Sequence, residues 1–357
     1  MAKSPSLFSA LLRGAVGVTA ASLDVAVVRL VRTIAARKGG QPVDPRRARE
    51  RLEQAVADSA ALDLSSLFAA PPEVKPREEP VRPPESRLGR RAGEEPAVTD
   101  LSWQSAFEPQ GSARDRFASV VENRTARARL MVHAQPAPAV ILVHGFGGGS
   151  FSFEERALSA RLFFDQGLDV ALFQLPFHAQ RRPADKSVGL FPSRDTSRTV
   201  LAFAQAVSDL RGLAGLLRAR GAPAVGLSGM SLGGYTTALA ATVERFDFLV
   251  PVIPLADLTA VHFEHEAMRA VQVPAELLEL GRKALSVVSP LSRMPLVTPE
   301  RVLVIAGRHD RVTPPATHAA RLAAHFSARL DWFEGGHLLQ LGRGEAFADA
   351  ARFMVRR

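Results

Sequence analysis

From about Leu101 onward, short runs of β-branched and other apolar residues alternate with longer stretches whose apolar positions recur at helical spacing. A continuous apolar run bounded by turn residues suits a strand buried on both faces, and its alternation with helices marks a mostly parallel central sheet flanked by helices. On this pattern AVILVHG (Ala139 to Gly145), DVALFQLP (Asp169 to Pro176), APAVGLSG, FDFLVPVI, RVLVIAG (Arg301 to Gly307) and ARLDWFEG (Ala328 to Gly335) are predicted strands. Helices are predicted over about 154–166, 196–220 and 232–243, with a last one over EAFADAARFMVRR. The alternation breaks between Thr259 and Pro299, which predicts a small cap insertion at about 259–299.

Upstream the pattern differs. DPRRARERLEQAVADSAALDLSSLF has Leu52, Val56, Ala60 and Leu62 at roughly helical spacing behind an Asp44-Pro45 start, and reads as a helix. From Pro71 to about Pro96 proline, glutamate and arginine dominate, so that run reads as an extended, poorly ordered linker. The expected organisation is a helical extension over 1–70, a linker over 71–100 and an α/β domain over 101–357.

The first stretch, SLFSALLRGAVGVTAASLDVAVVRLVRTIAARK, is rich in Ala, Val and Leu, but Arg13, Asp24 and Arg29 interrupt it. A spanning helix needs about 20 consecutive apolar residues, and a signal peptide needs an uncharged core, so neither is expected. An amphipathic helix docked on the folded domain is the expectation, with contact of residues 1–37 to a membrane surface as the alternative. The expected location is cytoplasmic, and membrane-peripheral under that alternative.

The chain has no cysteine, which excludes disulfides, thiolate metal sites and a cysteine nucleophile. Its net charge of +9 comes from scattered, mostly arginine residues with no basic stripe interleaved with aromatics, so a nucleic-acid partner is not expected.

Chemistry concentrates at turns. LSGMSLGGY contains G-x-S-x-G as Gly229-Met230-Ser231-Leu232-Gly233, between a predicted strand and a predicted helix. A serine on such a sharp turn takes a strained backbone, tolerates only small neighbours two residues to either side, and sits at a helix N-terminus that favours developing negative charge. Ser231 is therefore the candidate nucleophile, and Gly229 and Gly233 form its elbow; Ser228 lacks the flanking glycines.

VHGFGGGS ends another predicted strand in a glycine-rich loop, with His144, Gly145, Phe146 and Gly147. Two backbone N–H donors aimed at a tetrahedral intermediate's oxygen each contribute about 3 to 4 kcal/mol, and the candidates are those of Phe146 and Leu232. A phosphate loop would need a lysine or G-x-G-x-x-G spacing, and neither is present. The candidate base is His337 in EGGH, after the final predicted strand, with His144 as the rival that more plausibly shapes its own loop. The candidate acid is Asp310 in AGRHDRVTPP, which would fix the imidazole tautomer; Asp257 is the alternative. His262 and His265 in VHFEHE lack the HExxH order of a zinc site, so no metal or cofactor is expected.

HGFGGG, GMSLGG, GRHDRVTP and GGH, in that order, resemble the α/β-hydrolase superfamily over about Leu101 to Arg357. LPFHAQRRP (Leu175 to Pro183) and GLSGMSLGG are similar to its abhydrolase-domain-18-like branch, while HGFGG is closer to ordinary esterases. The resemblance implies an α/β-hydrolase fold and a serine esterase or lipase-like enzyme acting on a small acyl or ester substrate. Thioesterase, peptidase and acyltransferase chemistry use the same triad. A non-catalytic binding module with an amphipathic membrane anchor is the non-enzymatic reading.

Overall fold

The computed structural model describes residues 18–26, 44–81, 95–185, 191–193, 195–260 and 274–356. Among the described residues nine strands form one sheet: β1 (Arg77–Pro80), β2 (Ala97–Gln104), β3 (Thr125–Val132), β4 (Ala139–Val143), β5 (Asp169–Phe173), β6 (Val225–Met230), β7 (Leu249–Val252), β8 (Leu303–Gly307) and β9 (Arg329–Phe333). Their order is β1-β2-β3-β5-β4-β6-β7-β8-β9. The first four neighbours in that order pair antiparallel, and every pair from β5-β4 onward is parallel.

The parallel part follows the apolar runs because its strands are covered on both faces. Along β4, Ala139, Ile141 and Val143 point into one core cluster, and Val140 and Leu142 into the other. The first cluster is roofed by the helices Thr196–Ala219 and Leu232–Ala241. The second is roofed by Ala160–Asp165 and Arg343–Val355. Thr196–Ala219 is the one described helix long and apolar enough to cross a membrane, and its apolar residues are spent on the core, with 78% of that window buried. The helix expected over 154–166 is two pieces, Phe151–Ala157 and Ala160–Asp165, parted at Ser159, which has φ 55°.

The linker expectation needs correction. The sheet starts at Arg77, not near Leu101: β1 pairs with β2 through Arg77↔Ser102 to Pro80↔Thr99. A strand paired on one side only tolerates charged side chains and a proline, and such residues blunt the exposed edge. β2 and β3 were equally hidden, because they alternate buried and half-exposed positions instead of running apolar. Arg129 on β3 faces Asp100 on β2 in register and bonds both its carboxylate oxygens, at 2.7 and 2.8 Å.

The expected helix after Asp44 is Pro45–Ala60, with the Asp44 carboxylate accepting the Arg46 N–H at 3.0 Å. It docks on the α/β body: Ser59 donates to the Ala284 carbonyl at 2.7 Å, and Arg49 pairs with Glu276. Its partner, Ala275–Leu285, belongs to the insertion, so that part of the insertion packs against the N-terminal extension. Residues 261–273 of the insertion, with His262 and His265, lie outside the described residues, as do 1–17 and 27–43 of the first stretch. Residues 18–26 are helical, with Ala20 and Asp24 buried, which is the docked arrangement.

Candidate active site

The loops that follow β4, β6, β8 and β9 all leave the carboxyl edge of the sheet, because parallel strands end on one side. After β5 the chain passes back over β4 to form β6, and such a reversal opens a crevice at that edge. The four motifs found in the sequence lie on these four loops.

Ser231 stands between β6 and the helix Leu232–Ala241, with φ 56° and ψ −113°. The glycines around it are needed for close approach. A Cβ on Gly229 would overlap the Gly233 carbonyl, and one on Gly233 would overlap the Val143 carbonyl on the adjacent strand. Leu232 is the first residue of its helix, so its N–H has no intrahelical carbonyl partner one turn back.

His337 brings the other two residues together. Its Nε2 lies 3.1 Å from Ser231 Oγ, and its Nδ1 lies 2.8 Å from Asp310 Oδ2. An ionised carboxylate only accepts, so Nδ1 carries the ring proton and Nε2 is left to accept the serine hydroxyl. Asp310 is buried and fully engaged: its Oδ1 accepts the Val312 and Thr313 N–H groups at 2.8 and 2.7 Å, and its Oδ2 the Thr313 hydroxyl at 2.8 Å. Gly335 and Gly336 both have ordinary negative φ; they are glycine because Cβ atoms there would strike Leu339, Leu341 and Asp24.

The rival assignments are committed elsewhere. His144 is buried, Nδ1 donates to the Gly145 carbonyl at 2.7 Å, and Nε2 accepts the Leu175 N–H at 3.0 Å. Burial first, then the neighbouring His178, pushes its pKa down to about 3, so it is a neutral brace of the glycine loop. Glu154 supports the same loop by accepting the Gly149 N–H at 2.8 Å, and burial raises its pKa. Gly145 approaches the site closely: a Cβ there would stand 3.5 Å from Ser231 Cβ. Gly147 has φ 78° and turns the loop outward, exposing the Phe146 ring. Asp257 accepts the Thr259 N–H at 2.9 Å and pairs with Arg282 and Arg321, both at 3.2 Å, as a local cap. Ser228 donates to the Val250 carbonyl at 2.8 Å inside the sheet.

Arg181, in the segment LPFHAQRRP, belongs to the core rather than to the surface. It is wholly buried and bonds Asp209 at 2.8 Å and the carbonyls of Gln174 and Asn123 at 3.0 and 3.1 Å. Two residues beside the site escaped the sequence reading. Thr313 was signalled only by its place in DRVTPP, and Asp24 by being a charge inside an apolar run. Among the described residues no cluster of three or more His, Asp or Glu side chains could hold a metal ion.

The model of the prolyl oligopeptidase family matches residues 221–334, roughly a third of the chain, which includes Ser231 and Asp310 and stops short of His337. An uncharacterized protein of Mycobacterium tuberculosis strain H37Rv is 29% identical over 316 residues, covering 84% of this chain and 74% of its own. Acetyl xylan esterase 1 from Thermoanaerobacterium sp. JW/SL YS485 superposes with a TM-score of 0.51 at 16% identity, over 86% of this chain and 92% of that one. A mostly parallel sheet in this order, with a strained serine at the end of an inner strand, is the α/β-hydrolase fold, which this chain shares with that esterase.

Proposed function

We propose that the protein hydrolyses a carboxylic ester or related acyl compound through an acyl-enzyme on Ser231. The observation that carries this reading is the bridging imidazole of His337, 3.1 Å from Ser231 Oγ and 2.8 Å from Asp310 Oδ2. In the first half-reaction Ser231 Oγ attacks the acyl carbon while its proton passes to His337 Nε2. Asp310 stabilises the imidazolium through Nδ1–H, and the N–H groups of Leu232 and Phe146 receive the negative oxygen. His337 then gives its proton to the leaving alcohol. In the second half, water gives a proton to His337 Nε2 as it attacks the acyl carbon, and His337 returns that proton to Ser231 Oγ as the acyl–oxygen bond breaks and the acid leaves.

Two exposed apolar side chains favour an acyl substrate. Phe146, 55% exposed, and Leu338, 47% exposed, adjoin the oxyanion loop and His337 respectively, where an acyl chain would leave the reacting carbon. The match to part of the prolyl oligopeptidase family favours a second reading, amide or peptide cleavage by the same groups.

The test is labelling of the purified full chain by a fluorophosphonate probe, with turnover of p-nitrophenyl esters of increasing acyl length and of peptidyl p-nitroanilides. Ser231→Ala should abolish labelling and lower kcat by about 10⁶-fold. Faster turnover of the anilides than of any ester would select the peptidase reading. Absence of both labelling and turnover in folded wild type would favour a binding module.

A further inference from the structure

The helix over residues 18–26 brings to the site a carboxylate for which the reaction scheme has no role. Asp24 is fully buried, its Oδ2 accepts the His337 N–H at 2.8 Å and the Arg311 N–H at 3.1 Å, and its Oδ1 accepts the Leu338 N–H at 2.9 Å. Arg311 follows Asp310 directly, and His337 and Leu338 belong to the other loop. One side chain from the far end of the sequence therefore ties together the two loops that carry the acid and the base. Gly336 is shaped for it, since a Cβ there would stand 2.7 Å from Asp24 Oδ2.

We propose that Asp24 is a positioning residue: by holding these three N–H groups it sets the spacing of Asp310 and His337 and aims Nε2 at Ser231. Hydrogen bonds to an ionised acceptor are about twice as strong as neutral ones, and these act on backbone atoms, so they fix the point from which the imidazole swings. A misplacement of about 1 Å can slow a reaction by about 100-fold, so losing this clamp reaches the chemistry although Asp24 does not touch Ser231 or substrate. The catalytic consequence rests on the serine-hydrolase reading; the structural one does not.

The experiment compares full-length wild type, Asp24→Ala and Asp24→Asn by two readouts. One is kcat and KM on p-nitrophenyl butyrate, and the other is the downfield NMR resonance of the His337 Nδ1–H bonded to Asp310. In Asp24→Ala the resonance should broaden or vanish and kcat should fall about 10- to 100-fold with KM within twofold. Asp24→Asn should lie between, because its amide oxygen can still accept from His337 and Arg311 while its NH₂ opposes the Leu338 N–H. If Asp24→Ala does not fold, Asp24→Asn is read by the same criteria. An unchanged resonance, or an unchanged kcat in an active enzyme, overturns the proposal. If wild type shows the resonance but neither turnover nor fluorophosphonate labelling, the hydrolase reading fails; loss of the resonance in the variant would then still support the clamp, and its persistence would overturn it.

Discussion

Ser231 holds a positive φ that costs a non-glycine residue on the order of 1–3 kcal/mol, so the surroundings must enforce it. Its N–H donates to the Val252 carbonyl at 3.0 Å, and its carbonyl accepts from Tyr235 and Leu255, both at 3.1 Å. The turn is thus pinned from β7 and from its own helix. The choice between two acids was open in the sequence, where Asp310 and Asp257 each follow a strand, and proximity to His337 separates them. Asp310→Asn should lower kcat about 10⁴-fold by removing the acceptor that selects the Nδ1–H tautomer. Asp257→Asn should leave kcat within a few fold. Steady-state kinetics on one ester decides this, and the reverse pattern would reassign the acid. Ser231, Asp310 and His337 were legible because each sits in a turn marked by glycine or proline next to an apolar run. Asp24 and Thr313 were not, since what they do depends on partners distant in sequence or hidden within a loop.

Among the elements, the segment after β5 is fastened to the helix Thr196–Ala219 by a polar network inside the core. Arg181 reaches Asp209 at 2.8 Å, Ser105 donates to Asp209 at 2.6 Å, and Asn123 joins Gln205 at 2.6 Å and the Phe177 N–H at 3.0 Å. Burial disfavours both charges, lowering the pKa of Arg181 and raising that of Asp209, and each offsets the loss through the other. Removing one partner leaves a buried charge uncompensated. Arg181→Met should destabilise the fold by about 3–5 kcal/mol, and Arg181→Met with Asp209→Leu should recover much of it, read from urea unfolding midpoints. Additive losses in the double variant would refute the pairing. The parallel strands are legible in the sequence because strands covered on both faces must be apolar throughout. Strands β1 to β3 are not, because antiparallel strands near an edge carry charge on one face, as REEP in β1 and the arginines of β3 do.

At the scale of the molecule, buried histidines tie stability to pH. Burial, the largest cause, lowers His144 to about 3 and His178 to about 4. In the unfolded chain both take up protons near pH 6.5, while the folded chain resists until its own pKa values, so the unfolded state binds more protons in between. Stability from these groups is therefore complete above about pH 6.5 and falls steadily toward pH 4, on the order of 3 kcal/mol from His178 alone. Unfolding midpoints measured from pH 7.5 to 4.5 should decline, and His178→Asn should flatten that slope. An equal slope in the variant would show that His178 is not the group responsible.

The sequence by itself determined the parallel half of the sheet, the fold class and the three residues proposed for the chemistry. Local rules govern these: apolar continuity makes a buried strand, and a strained or crowded turn demands glycine where the nucleophile or base must sit. Only the tertiary structure decided that Arg77 to Pro80 is a sheet edge, that Arg181 is core, and that Asp24 reaches across 313 residues to the His337 N–H. A carboxylate, a guanidinium or an extended run is compatible with solvent, linker or core alike. Its role is fixed by the donors and acceptors that folding brings to it, and those lie far away in the chain.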